Sequence, residues 1–313
     1  MIRIFRTVDG NIHQVQEAQE GCWIALTNPS ASEVFEISTK YGIEVDHLRA
    51  PLDEEERSRL EVEDNYTLIL VDIPVIEERN DKEWYGTIPL AIIVTKDRIF
   101  TVCLEDTPVL TAFMDGRVRN FYTYMKTRFI LQILYKNANM YLHYLRIIDK
   151  KRTEIEERVG DNTKDVDLIE LHELESTLVY FATSLRANSV VLDRLSRYKR
   201  LEQYPEDKEL LGDVIVENQQ AIEMTTIYRD IINGTRELMS SVIDNRLNNL
   251  MKFLTCITIV MAIPTIISGV YGMNVNPDSM PLAAHPFGFG IICISIVVVC
   301  IVVLLIMKKK RMM

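Results

Sequence analysis

No two of the five cysteines in this 313-residue chain stand in a CxxC spacing. A disulfide-stapled secreted module is therefore not expected, and buried, reduced thiols are. Basic charge is also scarce, with 45 acids against 35 Lys and Arg for a formal net charge of −10. Without a basic face to release counterions from phosphates, a nucleic-acid binder is not expected. The chain has no Walker lysine loop, no HExxH and no convincing catalytic triad, so an enzyme is not expected. His13, His47, His143 and His172 are scattered and read as surface or structural residues. Met1-Ile2-Arg3-Ile4 leads into no long apolar stretch, so no signal peptide is predicted.

Charge is nearly missing from one region. From Leu250 onward the only acid is Asp278 and the only bases are Lys252 and Lys308-Lys309-Lys310-Arg311. Residues 1–249 therefore carry a net charge of −14, and an acidic, polar body is joined to an apolar tail. Within that tail Phe253–Tyr271 and Phe287–Met307 are uncharged runs of nineteen and twenty-one residues. At about 1.5 Å per residue, each spans ~30 Å of hydrocarbon as a helix. The Lys308–Arg311 cluster is expected to stay in the cytoplasm, and Gly272–Pro286 contains no Lys or Arg. Two spans then place both termini in the cytoplasm and the short loop outside, in a cell (inner or plasma) membrane.

The body changes character along its length. Residues 1–118 read as a cytoplasmic α/β domain. Tyr66–Val75, Gly86–Val94 and Arg98–Cys103 are apolar, β-branched strands, the last two joined as a hairpin through Thr95-Lys96-Asp97. Pro29-Ser30 with Glu33 signals a capped helix running to about Tyr41. Asp53–Asp64 holds seven acids against two arginines and reads as a solvated edge or short helix, a cation site being the alternative.

Residues 119–203 form a predicted helical hairpin, Phe121–Val159 and Lys164–Leu201, broken at Gly160-Asp161-Asn162. Leu168, Leu171, Leu174, Leu178, Phe181, Leu185, Leu192 and Leu195 give the second helix an apolar stripe. Pro205 opens a third helix that is predicted to run over residues 205–272, through the first span, for roughly 100 Å. Its stripe of Leu211, Val214, Asn218, Ala221, Thr225, Tyr228, Ile232, Thr235, Met239 and Val242 suits packing on the hairpin or on copies of itself.

A second stripe on that helix runs Glu237, Ser241, Asp244, Asn248, Met251, Leu254, Thr258, Ala262, Thr265 and Gly269. Within the span it is small or hydroxylated. Such a row serves either close helix packing or a water-lined path, and a path requires several copies around an axis because one helix encloses nothing.

Tyr271-Gly272-Met273-Asn274, at the outward end of the first of two C-terminal spans, resembles the CorA family of divalent-cation channels. Tyr228-Arg229-Asp230-Ile231, Asn248, Met251-Lys252 and Leu254-Thr255 extend the resemblance upstream. It implies an α+β membrane protein: a cytoplasmic α/β domain, a long helical hairpin, and a very long stalk helix continuing into the first transmembrane helix. Residues 273–286 are then the extracytoplasmic loop, 287–307 the second, lipid-facing span, and 308–313 a basic cytoplasmic tail. It further implies a homopentamer that carries Mg2+ inward down the membrane potential, gated by cytoplasmic Mg2+, with no organic cofactor. Gly272, Met273 and Asn274 would form the selectivity site. Asn248, Met251 and Leu254 would form a narrow neck and Glu237 an acidic ring below it, with Thr258, Ala262 and Thr265 lining the span. Asp213 would be a stalk carboxylate for regulatory divalent ions.

The chain departs from the family pattern in three places. Leu282 follows Met280-Pro281 where many members carry an acid, Ala262 stands where a bulky apolar residue often lines the pore, and Pro264 is offset by one. Alternative functions are a Zn2+, Co2+ or Ni2+ transporter of the same superfamily, which His285 slightly favours, or a membrane-anchored coiled-coil interaction protein.

Overall fold

The computed structural model describes residues 1–79, 82–158, 165–198, 204–274, 276, 280–282 and 285–309. Gly160-Asp161-Asn162, Lys164, Leu201, Asp278 and Lys310-Arg311 lie outside the described residues. The chain divides into two compact units, Met1–Arg236 and Glu237–Met313.

The first unit is built on a seven-stranded sheet, ordered β2-β1-β3-β7-β6-β5-β4. Its strands are β1 (Ile2–Val8), β2 (Asn11–Val15), β3 (Trp23–Thr27), β4 (Arg59–Val62), β5 (Tyr66–Arg79), β6 (Lys82–Thr95) and β7 (Ile99–Cys103). Among the described residues only β3 and β7 pair in parallel; every other neighbour is antiparallel. The expected hairpin through Thr95–Asp97 is present, with Val94 opposite Ile99 and the Thr95 amide donating to the Arg98 carbonyl at 3.0 Å.

Period-two alternation sends apolar side chains to both faces of the central strands, so both faces must be covered. Ile69, Val71, Ile73 and Val75 of β5 join Leu90 and Ile92 of β6 in one core with α3 (Pro108–Met114), α4 (Lys126–Glu157) and α5 (Asp165–Arg197). Leu68, Leu70, Ala91, Ile93, Phe100 and Val102 form the other core, under α1 (Ala31–Tyr41) and α2 (Val45–Arg49). Burying each such side chain contributes about 1.5–3 kcal/mol. Ser30 and Glu33 close the predicted capping box on α1, and Gly42 ends the helix at a φ of 67°, a left-handed conformation suited to glycine.

Helix α4 begins at Lys126 rather than Phe121. Phe121 instead packs at 4.5 Å from Phe129 and 5.1 Å from Phe113, beside the fully buried Trp23. Burial of its ring in that aromatic cluster outweighs extension of the helix by one turn. The hairpin is antiparallel: Asn137 and Asn188 meet at one backbone group, Tyr141 packs 5.0 Å from Phe181, and Arg158 reaches Asp167 and Glu170.

That shared backbone group docks the hairpin on the sheet. In the ladder Asp72 faces Pro89, which has no N–H to offer. The Asp72 carbonyl instead accepts from Asn188 Nδ2 at 2.8 Å, Asn137 Nδ2 at 2.9 Å and the Tyr141 hydroxyl at 3.2 Å. The Asp72 amide donates to Asn188 Oδ1 at 2.9 Å. One carboxamide thus takes the place of a strand partner on both groups of a single residue.

The Asp72 carboxyl group lies in the same buried region. Burial raises its pKa above the usual aspartate range, opposed by hydrogen bonds from Ser184 and Ser58. An acid with a raised folded pKa binds its proton more tightly folded than unfolded, so this group's contribution to stability falls as pH rises from the unfolded value toward the folded one. Asp72→Asn is expected to flatten that dependence and to stabilise the protein more near neutrality than near pH ~4. Urea unfolding of the detergent-solubilised chain at the two pH values checks this; equal effects at both would contradict it.

Helix α6 (Pro205–Tyr271) is continuous for 67 residues and α7 (Gly288–Lys309) for 22. Leu211, Val214, Asn218, Ala221, Thr225, Ile232 and Thr235 of the first α6 stripe are buried. Two of its polar members have partners: Asn218 Nδ2 donates to the Leu185 carbonyl of α5 at 3.1 Å, and the Thr225 hydroxyl to the Ala221 and Ile222 carbonyls. Within the first unit this stripe packs on the hairpin, the first of its two expected uses.

Candidate functional site

The second unit contains every residue of the second stripe. Its helices are the C-terminal part of α6 and α7, both long and apolar enough to cross a membrane. Glu237, Asn248, Met251, Leu254, Thr258 and Thr265 are exposed along α6, and Ala262 is half-buried. Steps of three and four residues place them on one face.

Two hydroxyls on that face are already committed as donors. Thr258 Oγ1 donates to the Leu254 carbonyl at 2.9 Å and Thr265 Oγ1 to the Met261 carbonyl at 2.9 Å. Their oxygens are left with outward lone pairs, an acceptor-only surface. Such a surface suits the protons of a cation's hydration shell and offers nothing to an anion.

Pro264 lies inside α6 and cannot donate to the Val260 carbonyl four residues earlier. Cys300 of α7 supplies a substitute: its thiol donates to that carbonyl at a sulfur–oxygen distance of 3.8 Å. A backbone carbonyl freed within hydrocarbon needs a partner, and a neighbouring helix provides it here.

The end of α6 is fixed by short-range geometry. The Gly272 amide donates to the Ser268 carbonyl at 2.8 Å, and the Met273 amide to the Val270 carbonyl at 3.3 Å. A Cβ at Gly272 would lie 3.2 Å from the Ser268 oxygen, so the tight exit of the chain, rather than a positive φ, favours glycine there. The Tyr271 hydroxyl donates to the Pro281 carbonyl at 2.9 Å, tying the loop back to the helix. Gly272, Met273 and Asn274 all follow as exposed residues. At the start of α7, a Cβ on Gly288 would come within 2.0 Å of the Leu282 oxygen, which leaves glycine alone at this position.

Sequence reasoning placed Tyr271 in the motif but missed its contact with Pro281, and it missed Gly288 and Cys300 as parts of this arrangement. The two glycines of Phe287-Gly288-Phe289-Gly290 were a signal for close approach, but neither the Tyr271 nor the Cys300 contact had a local pattern to announce it. Asp213 lies elsewhere, exposed on α6 within the first unit. Among the described residues it belongs to no group of three carboxylate, imidazole or thiol ligands. His285 is exposed, and its Nδ1 accepts from the Phe287 amide at 3.2 Å, leaving one ring nitrogen for any ligand.

A sheet domain, long helices and two C-terminal apolar helices define a membrane protein whose polar row lies on the first of those helices. A family model described as CorA-like Mg2+ transporter protein matches residues 18–309, and the chain belongs to that family. The cobalt/magnesium transport protein CorA of Methanocaldococcus jannaschii is 28% identical over 285 residues, covering 88% of this chain and 86% of that protein. The magnesium transport protein CorA of a Campylobacter jejuni strain is 25% identical over 318 residues, covering 94% and 93%. The complete structure of the M. jannaschii CorA magnesium transporter superposes with a TM-score of 0.84 at 25% identity, covering 99% of this chain and 98% of that one. These relatives are transporters rather than enzymes, and the magnesium, cobalt and membrane-transport reading agrees with them.

Proposed function

We propose that the chain is a Mg2+ channel that forms a homopentamer, with α6 lining the pore, α7 facing lipid and the Met1–Arg236 unit in the cytoplasm. The observation that carries this reading is the exposed row Asn248, Met251, Leu254, Thr258 and Thr265, which ends next to Gly272-Met273-Asn274. A lipid-facing helix gains nothing from amides and hydroxyls, whereas a ring of identical helices encloses them around water.

Each position has a chemical task. Mg2+ gives up its octahedral water shell reluctantly, so a ring of Asn274 amide oxygens and backbone carbonyls beside Gly272 and Met273 holds the hydrated ion through its waters. Thr265 and Thr258 accept hydrogen bonds from those waters lower down, and Ala262 between them leaves room for the shell. Met251 and Leu254 narrow the passage near Asn248, where apolar rings gate by excluding water. Glu237 concentrates cations below that neck. Asp213 binds cytoplasmic Mg2+ at a subunit boundary; the bound ion offsets carboxylate repulsion and favours the closed state, so falling Mg2+ opens the channel.

Influx needs no pump. Two charges moving inward through ~100 mV release roughly 4.6 kcal/mol. The extracytoplasmic loop and the two cytoplasmic termini follow from the basic end of the chain.

Purified protein in proteoliposomes under an inside-negative potential is expected to take up Mg2+, and to run as a pentamer in mild detergent. Uptake of Zn2+ without any response to Mg2+ would transfer the assignment to the zinc branch of the superfamily. A monomeric or dimeric particle without flux would favour a membrane-anchored interaction protein.

A further inference from the structure

We infer that the Met1–Arg236 unit carries a transition-metal site formed by His47, Glu61 and Glu63, separate from the pore and from Asp213. Their ligand atoms all lie within 4.8 Å of one another, and three different features of the fold bring them there. Gly42 ends α1 and lets the chain turn directly into α2, which carries His47. Glu61 lies on β4 opposite Leu68, a residue of the core beneath α2. Glu63 directly follows the end of β4, and its carboxylate belongs to the same group of ligand atoms. Its backbone amide donates to the Tyr66 carbonyl at 2.9 Å, closing the turn into β5.

The group is organised as a metal site is, with outer partners orienting the inner ligands. His47 is buried, and its Nδ1 lies 2.7 Å from the Tyr66 hydroxyl. That oxygen is itself held by the Glu44 amide at 3.2 Å. The other ring nitrogen, Nε2, faces Glu61 Oε2 at 2.9 Å. The second oxygen of Glu61 is taken by Arg59, which also pairs with Glu56 at 2.6 Å. Arg59 thereby directs Oε2, and not Oε1, toward the imidazole. A divalent metal takes the place of this Nε2–Oε2 contact, any hydrogen held there passing to solvent, and recruits Glu63 as the third ligand.

The donor set selects the kind of metal. Bonds of about 2.0–2.2 Å place imidazole and carboxylate ligand atoms closer together than their present spread, and the half-buried Glu63 can close the gap by side-chain rotation. One imidazole with two carboxylates suits Zn2+, Co2+ or Ni2+, whereas Mg2+ prefers oxygen alone. Metal on Nε2 requires the imidazole N–H to be at Nδ1, where the Tyr66 oxygen 2.7 Å away can accept it. The site thus offers the cytoplasmic domain a sensor for metals that compete with the transported ion.

Full-length protein in mild detergent, titrated with Co2+ and followed by its visible absorption, tests the inference. One Co2+ per chain is expected with an intensity above that of the hexahydrate, displaced by Zn2+ and unaffected by excess Mg2+. His47→Gln should abolish the band, and Glu63→Gln, on the half-exposed ligand, should weaken binding about tenfold without the folding risk at the buried histidine. Tyr66→Phe should weaken it by a similar factor, as outer-partner losses do. Asn274→Ala should leave it unchanged, which separates this site from the pore. Equal binding by wild type, His47→Gln and Glu63→Gln would overturn the assignment, and so would displacement by Mg2+ alone or no band in the wild type.

Discussion

Asn274→Ala is expected to abolish growth rescue of a magnesium-transport-deficient strain that the wild-type chain rescues. A hydrogen bond to a charged partner contributes about 1.5–3 kcal/mol, and each 1.4 kcal/mol is a factor of ten. In the proposed ring, losing the amide from every subunit therefore lowers Mg2+ uptake by more than about tenfold even if backbone carbonyls retain part of the ion's shell. The substitution lies after the end of α6, at an exposed position, so folding is not expected to suffer. Thr265→Val provides the graded comparison. That hydroxyl already spends its proton on the Met261 carbonyl, so the variant loses only acceptor lone pairs and keeps part of the uptake. Equal rescue by wild type and Asn274→Ala, at matched membrane levels, would remove the amide from the selectivity role.

How far these features could be read from the chain depended on whether their causes were local. The capped start of α1 was legible because the bonds that close the capping box run between Ser30 and Glu33, three residues apart. Pro205 announced the start of α6, and the uncharged runs announced both apolar helices, since length and composition alone decide those elements. The first stripe of α6 showed that the helix needed a partner but left two candidates, because Asn218 and Thr225 at buried positions read as impurities. The acceptor of Asn218, the Leu185 carbonyl on α5, appears only once the hairpin is in place, whereas Thr225 is satisfied by carbonyls of its own helix.

Non-local causes were not legible. The late start of α4 depends on Phe121 meeting Phe113 and Trp23, which are brought together from separate elements. Strands β1 to β3 give weak patterns, and the parallel pairing of β3 with β7 joins segments more than seventy residues apart. At the candidate site the composition of the row was plain in the sequence, and its exposure along α6 agrees with it. The contacts that shape the row's ends were hidden: Cys300 finds its acceptor, the Val260 carbonyl forty residues earlier, only because Pro264 withheld a donor. The His47 group shows the same limit from the other side. The run 53–64 read as a solvated edge, and β4 is indeed the edge strand. The register that puts Glu61 opposite Leu68, and the turn after β4 that carries Glu63, became visible only in the structure.

The largest stability effect is expected at Asn188, the carboxamide that replaces a strand partner. Asn188→Ala leaves the Asp72 amide without its acceptor while Asn137 and Tyr141 still serve the carbonyl. An unsatisfied buried donor costs about 1–3 kcal/mol. The lost bond from Ser58 to Asn188 Oδ1, at 3.1 Å, adds to this, giving about 3 kcal/mol in all. Asn137→Ala is expected to cost less, because Asp72 keeps both other carbonyl donors and the Asn137 Oδ1 atom is itself buried without a partner. Its removal relieves one unmet acceptor as it deletes one bond. The two substitutions share an acceptor, so the double variant should depart from additivity. Urea unfolding in detergent, followed by fluorescence of the fully buried Trp23, orders the three. If Asn137→Ala proved the more damaging single change, the hairpin would not be docked through the Asn188 pairing, and the proline opposite Asp72 would need another explanation.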